Sequence, residues 1–307
     1  MRVLFIGYSV TIQTNGFFDY LKQMYQDKDI HVEHIAIGGA NMNWILYYLN
    51  AIDFKQYNSV VLEISTSTRW LGSDYNRYMN IISFIVDYIS LFVNKIGFLD
   101  FSRTDVSIND VLHQVIADCA IYKNLPIISW DNAKGELSSY VYDGIHPNAQ
   151  GIRLYAELAN SLLDLISNKS SLNYHAHSGF YNLYEKYKPF FMSINQLLIV
   201  NNQNTFENFS KGGINYDLLV IEEGNKVEIK LDKDYEIMGL LLKIGPKTGR
   251  AIVSDSISGD ILVDKTIYDE RSYYERYFPF FQRMGRRNHL TLSCIRCDSR
   301  TQLLKRR

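Results

Sequence analysis

The sequence predicts a doubly wound α/β domain with a five-stranded parallel sheet, followed by a β-rich domain of the sandwich or jelly-roll kind. Three observations predict it. Short apolar runs alternate with amphipathic helical stretches over residues 1–168. A polar stretch, Ser167-Asn168-Lys169-Ser170-Ser171, then interrupts the pattern. Beyond it, short β-prone runs are spaced by Gly, Asn and Asp turns.

Each element has its own warrant. Arg2–Ile6 is a strand, apolar after its first residue. Gly16–Gln26 places Phe17, Phe18, Leu21 and Tyr25 at helical spacing. Val32–Ile37 is the second strand, and a helix follows from about Met42 to Leu49. Ser59–Ile64 reads Ser-Val-Val-Leu-Glu-Ile, a buried strand. A long helix covers Asp74–Asn94, and Ile96–Asp100 is the fourth strand. Asp110–Tyr122 is helical, Pro126–Trp130 is the fifth strand, and Asn148–Ile166 is the last helix. Strands that alternate with helices must pair in parallel, with helices on both faces. Functional residues of such sheets gather at the carboxyl ends of the strands.

The second domain is expected over residues 175–307, with strands at Gln196–Asn201, Leu218–Glu222, Lys226–Leu231, Gly239–Ile244, Arg250–Ser254, Asp260–Lys265 and Leu290–Cys297. The chain has 23 Tyr and 16 Phe, and core packing accounts for most of them. Aromatic residues of the second half would also suit a sugar-facing surface, so this domain is a candidate carbohydrate-binding accessory.

A net charge of -1 excludes a strong global field for nucleic acid or membrane. Residues 1–172 are acidic, with 12 Lys+Arg against 17 Asp+Glu; the rest is basic, with 20 against 16. The late excess, Arg283, Arg286, Arg287, Arg296, Arg300, Lys305, Arg306 and Arg307, reads first as a solvated face and tail. Met1-Arg2 leads into a four-residue apolar run that stops at Gly7, too short for a secretory signal, and Ile81–Val93 is broken by Asp87. A cytoplasmic protein without membrane insertion is the expectation. The three cysteines, Cys119, Cys294 and Cys297, fit a reducing compartment. Cys294-Ile295-Arg296-Cys297 has no second pair, so the thiols read as ordinary. His31 and His34 fall on opposite sides of a strand and make a poor metal pair. No Gly-x-x-x-x-Gly-Lys loop is present, and Gly212-Gly213 reads as a turn. No metal and no cofactor is expected.

The chemistry lies in two segments. Phe5-Ile6-Gly7-Tyr8-Ser9 puts a serine just past the first strand. Asp143-Gly144-Ile145-His146-Pro147-Asn148 supplies a carboxylate and an imidazole three residues apart, just before a helix. A serine nucleophile needs a base to take its proton and a carboxylate to orient that base. A tight turn at Gly144 would let Asp143 meet one imidazole nitrogen while the other faces Ser9. Taken singly, Ser9 reads as a turn or cap residue, Gly38-Gly39 as a turn, and Asp-x-x-His as a helix cap.

Taken together, these segments resemble the SGNH (GDSL-type) hydrolase family across residues 1–168. Phe5-Ile6-Gly7-Tyr8-Ser9 resembles its nucleophile block, with Tyr8 where Asp is usual. Ala36-Ile37-Gly38-Gly39-Ala40-Asn41 resembles its glycine block. Leu62-Glu63-Ile64-Ser65-Thr66-Ser67-Thr68 falls where the family carries Gly-x-Asn-Asp, and Asp143 to Asn148 matches the final block closely. The resemblance implies Ser9 as nucleophile, His146 as base, Asp143 as its partner, and an oxyanion hole from Ser9, Gly39 and Ser67. Ser67 stands at the position of the family's oxyanion Asn, with Thr66 and Thr68 as alternative donors. The activity implied is hydrolysis of acyl esters, here of an O-acylated carbohydrate or another small ester. Two alternatives stay open: an O-acyltransferase that moves acetyl from acyl-CoA to a sugar hydroxyl, and a glycan-binding protein with a degenerate site. The resemblance is silent on oligomeric state.

Overall fold

The computed structural model describes residues 1–40, 42–67, 74–106, 110–130, 136–168, 198–199, 205–222, 224–244, 250–255, 259–263 and 274–295. The chain forms two compact units, Met1–Phe191 and Met192–Arg307. The expected linker, residues 167–171, starts at the end of the last helix of the first unit and then passes outside the described residues.

The first unit is a five-stranded parallel sheet: β1 (Arg2–Gly7), β2 (His31–Ala36), β3 (Ser59–Leu62), β4 (Ile96–Asp100) and β5 (Ile127–Ser129), in the order β2-β1-β3-β4-β5. Among the described residues four α-helices lie between the strands, α1 (Phe17–Tyr25), α2 (Asn43–Tyr48), α3 (Tyr75–Ser90) and α4 (Val111–Tyr122), and α5 (Ala149–Asn168) follows the last. The parallel register runs Val3↔Val32 and Val3↔Ser59 on the two sides of β1. The strand order reverses beside β1, and a reversal of this kind opens a crevice at the strand ends.

Both faces of the sheet are buried, as a doubly wound fold requires. On one face Val3, Phe5, Val61 and Leu99 pack with Phe17, Phe18 and Leu21 of α1 and with Tyr155, Leu162 and Ile166 of α5. Leu4, Ile6, Val60, Leu62 and Phe98 alternate with these residues along their strands and are equally buried. Lys123 and Asp87 form an ion pair of 2.6 Å that pins the end of α4 to α3. The strands and helices expected for the first unit all stand within about four residues of their predicted ends. The third strand stops at Leu62, so Glu63 and Ile64 belong to the loop beyond it.

The described part of the second unit is antiparallel, as expected for a β-rich domain. β6 (Leu198–Ile199), β9 (Lys226–Ile244), β10 (Arg250–Asp255), β11 (Gly259–Val263) and β12 (Tyr274–Ile295) form a sheet ordered β11-β10-β12-β9-β6. β7 (Thr205–Lys211) and β8 (Ile214–Val220) form a hairpin. Val227, Leu292 and Val253 are register partners across β9, β12 and β10, and all three are buried. The expectation of uniformly short strands fails here. Lys226–Leu231 and Gly239–Ile244 are one 19-residue strand, and Leu290–Cys297 is the end of a 22-residue strand that stops at Ile295. Cys297 lies outside the described residues. Register shifts between Pro279 and His289 absorb the irregularity of so long a pair.

Candidate active site

The segment before α5 is closed into a tight loop. Val141 bridges Pro147, the Tyr142 N–H donates to the His146 carbonyl at 3.0 Å, and the Asn148 N–H donates to the Tyr140 carbonyl at 2.8 Å. Asn148 then caps α5, its side-chain oxygen accepting from the N–H groups of Gln150 and Gly151. Gly144 sits at φ 86, a left-handed conformation that a side chain would strain.

Inside this loop the Asp143 carboxylate has three donors. Oδ1 accepts from the N–H of His146 at 2.8 Å and of Ile145 at 3.1 Å. Oδ2 lies 2.6 Å from His146 Nδ1. Partial burial pushes the Asp143 carboxyl up, but these donors together outweigh it and hold the group below its usual range. An ionised Asp143 accepts a hydrogen bond from Nδ1–H, which leaves Nε2 of the neutral imidazole with a lone pair. Tyr142 lies over the imidazole, with ring centroids 5.8 Å apart at 20°, and is 64% exposed.

Ser9 is half-buried just past β1. Gly38 is its neighbour from the loop after β2: a Cβ on Gly38 would stand 3.9 Å from Ser9 Cβ. Gly39 follows at φ 63 and is exposed. Gln13, on the same loop as Ser9, donates to the Pro147 carbonyl at 3.2 Å and so ties the serine's loop to the histidine's. The fold therefore brings Ser9, Gly39 and the Asp143–His146 pair to one edge of the sheet. Ser67 also stands past a strand end, beyond β3, but it is buried to 1% exposure. Its carbonyl and that of Thr66 accept from Arg103 at 2.9 and 3.2 Å. Thr66, named above as an alternative donor, gives both its hydroxyl and its N–H to Glu63. Thr68 lies outside the described residues.

Two features escaped the sequence reading. The Glu63 carboxyl is fully buried beneath the Ser9 and Ser67 loops. Burial pushes it up to about 7, against the pull of its Thr66, Thr11 and Tyr8 donors. Arg103 pairs with Asp105 at 2.6 Å, while the next N–H, from Thr104, donates to the Gly144 carbonyl. In sequence Glu63 only interrupts an apolar run, and Arg103 is one of many loop charges.

A second imidazole–carboxylate pair, His113 Nδ1 to Asp100 Oδ1 at 2.6 Å, joins α4 to the end of β4. Ser129 donates its hydroxyl to Asp100 rather than to the imidazole. That order gives the serine no base, so the cluster reads as the satisfaction of a buried carboxylate. Among the described residues no group of His, Cys, Asp and Glu could hold a metal ion, and no helix is long and apolar enough to cross a membrane. Cys119 is a buried thiol, pushed up to about 11 by desolvation.

No family profile and no curated protein sequence matches the chain. Solved structures do. A two-domain esterase (CEX) active on acetylated mannans, co-crystallised with mannopentaose, superposes with a TM-score of 0.61 at 13% identity over 97% of this chain and 86% of that one. A second structure of that two-domain esterase gives 0.59 at 13% identity over 97% and 87%. The first unit has the SGNH-hydrolase fold. This sheet carries Ser9, Gly38-Gly39 and Ser65–Ser67 just past the ends of β1, β2 and β3, and Asp143–His146 just before α5, in the order of the segments quoted from the sequence.

Proposed function

We propose that the protein is a serine esterase acting on O-acylated carbohydrate, with Ser9 as nucleophile, His146 as base and Asp143 as its orienting partner. The observation that carries this reading is the 2.6 Å contact between His146 Nδ1 and an ionised Asp143, on a loop tied to the one that bears Ser9. Ser9 Oγ attacks the acyl carbon and passes its proton to His146 Nε2. The N–H groups of Ser9 and Gly39 take the charge that develops on the carbonyl oxygen. As the C–O bond breaks, the sugar alkoxide leaves with the proton from Nε2, and the acyl group stays on Ser9. Water then gives a proton to Nε2 as its oxygen attacks the acyl carbon; the bond to Ser9 Oγ breaks, Nε2 returns the proton to Oγ, and the acid leaves.

The carbohydrate part of the reading has two supports. The two-domain esterase that shares the fold acts on acetylated mannans. Tyr142 holds an open ring face beside His146, where a pyranose ring can stack. Burial of Ser67 favours a second reading, a glycan-binding protein without turnover, because the third oxyanion position is closed to substrate. Incubation with 4-nitrophenyl acetate and with acetylated manno-oligosaccharides tests both readings. Release of acetate that is lost in Ser9→Ala supports the esterase. Retained sugar binding with no acetate release supports the alternative.

A further inference from the structure

We propose that Glu63 is a positioning residue: its carboxyl group joins the turn that carries Ser9 to the loop that carries Ser67 and so fixes where the nucleophile stands relative to the oxyanion donors. The inference rests on the reading of Ser9 as nucleophile.

The two carboxyl oxygens serve two different segments. Oε2 accepts from the Thr11 hydroxyl at 2.9 Å and the Tyr8 N–H at 3.4 Å, one residue on each side of the Ser9–Val10 pair. Oε1 accepts from the Thr66 hydroxyl at 2.8 Å and the Thr66 N–H at 3.2 Å, next to Ser67. The neighbouring backbone also pairs with the flanking chain, the Glu63 N–H donating to the Ile6 carbonyl at 2.9 Å. The carboxyl group is thus a bridge between the ends of β1 and β3, which lie side by side where the strand order reverses.

Space has been left for the bridge. A Cβ on Gly7 would overlap Thr11 Oγ1 and stand 3.0 Å from Glu63 Oε2. Any side chain at position 7 would push the threonine and the carboxyl group apart. Tyr8 stands where the resembled family carries an acid, and its side chain is buried, so position 8 offers the turn no carboxylate. Glu63 brings one to that turn from the adjacent strand end. The far side of the Ser67 loop is held by Arg103 through two carbonyls, so the loop is fixed from both of its polar edges.

Glu63→Gln tests the inference. The amide keeps the shape, but its nitrogen is a donor. Whichever way it turns, the N–H of Tyr8 or of Thr66 loses its acceptor. The probe is a fluorophosphonate that labels Ser9 and needs only the base-activated nucleophile and the oxyanion donors; 4-nitrophenyl acetate hydrolysis is followed in parallel. The expected result is a maximal labelling rate and a kcat that fall about 10- to 100-fold, with half-saturating probe and KM within about twofold of the wild type. An unchanged maximal rate overturns the proposal, as does a loss confined to KM or to the folded fraction.

If the Gln variant fails to fold by circular dichroism, Thr11→Val and Thr66→Val replace it, since each removes one donor and leaves Glu63 in place. Maximal rates that fall at constant KM in these folded variants support the bridge; wild-type rates in both overturn it. A wild type that is labelled at Ser9 but hydrolyses no ester rejects the esterase reading alone, and the labelling comparison still decides the role of Glu63. A wild type unlabelled at Ser9 overturns both.

Discussion

Glu63 is a carboxyl group whose folded pKa stands above its ordinary value, and that sign has a measurable effect on stability. Between the ordinary value of 4.5 and about 7, the folded chain holds a proton that the unfolded chain has released. The contribution is therefore most favourable at low pH and is lost as pH rises through that window. Urea unfolding at pH 5 and pH 8 should show the wild type losing about 2 kcal/mol relative to Glu63→Gln. Parallel pH dependence in the two proteins would remove the ionised carboxyl from the argument. At the same scale, Ser9→Ala and His146→Ala should each lower ester turnover by at least about 10³-fold, and Asp143→Asn by about 10²- to 10⁴-fold, with the fold intact. Tyr142→Ala should raise KM for an acetylated manno-oligosaccharide about 3- to 10-fold and leave 4-nitrophenyl acetate unaffected, while Tyr142→Phe keeps both. Equal losses on the two substrates would mean that Tyr142 supports His146 instead of a sugar. Asp143 and His146 were legible because Asp-x-x-His is local: three residues and a glycine turn suffice to build the pair. Glu63 was not, because its four hydrogen bonds come from Tyr8, Thr11 and Thr66, and only folding shows which strand ends are neighbours.

At the scale of elements, the parallel sheet was legible because burial on both faces leaves unbroken apolar runs such as Val3-Leu4-Phe5-Ile6. The two long strands of the second unit were not. In β9 the segment Asp232-Lys233-Asp234 separates two apolar stretches and reads as a turn, yet the strand continues through it. Antiparallel strands tolerate this because one face can be solvated, so composition alone does not mark their ends. The loop after β3 carries the prediction for this scale. Ser67→Ala should cost less than about tenfold in kcat, because the Ser9 and Gly39 N–H groups remain. Ser67→Asn should raise kcat only if the loop moves its larger side chain towards the substrate. A loss on Ser67→Ala as deep as that of Ser9→Ala would place Ser67 at the centre of the chemistry.

For the whole molecule, the compact units meet in sequence at Phe191 and Met192, whereas the change of pattern was read near residue 170. Limited proteolysis distinguishes the two. Cleavage after α5 should leave a stable N-terminal fragment that keeps 4-nitrophenyl acetate activity, if residues 1–168 hold every group the chemistry needs. Loss of both halves on a single cut would show that they fold as one. The division was legible only as a shift from helical to strand periodicity, because a boundary is set by which surfaces pack, and no local residue pattern records that.

The tie between Gln13 and the Pro147 carbonyl joins positions 134 residues apart. If Ser9 and His146 act as proposed, on a growing chain the serine emerges first and its base last, separated by four strands and four α-helices among the described residues. At synthesis rates on the order of 5–20 residues per second, the nucleophile waits several seconds or more for its partner. On the assignment proposed above, a nascent or prematurely ended chain that stops short of the Asp143–His146 loop exposes a serine with no base beside it, and reactivity is the last property that the first unit acquires. Appearance of phosphonate-labelled chain during timed translation would report the docking of that loop.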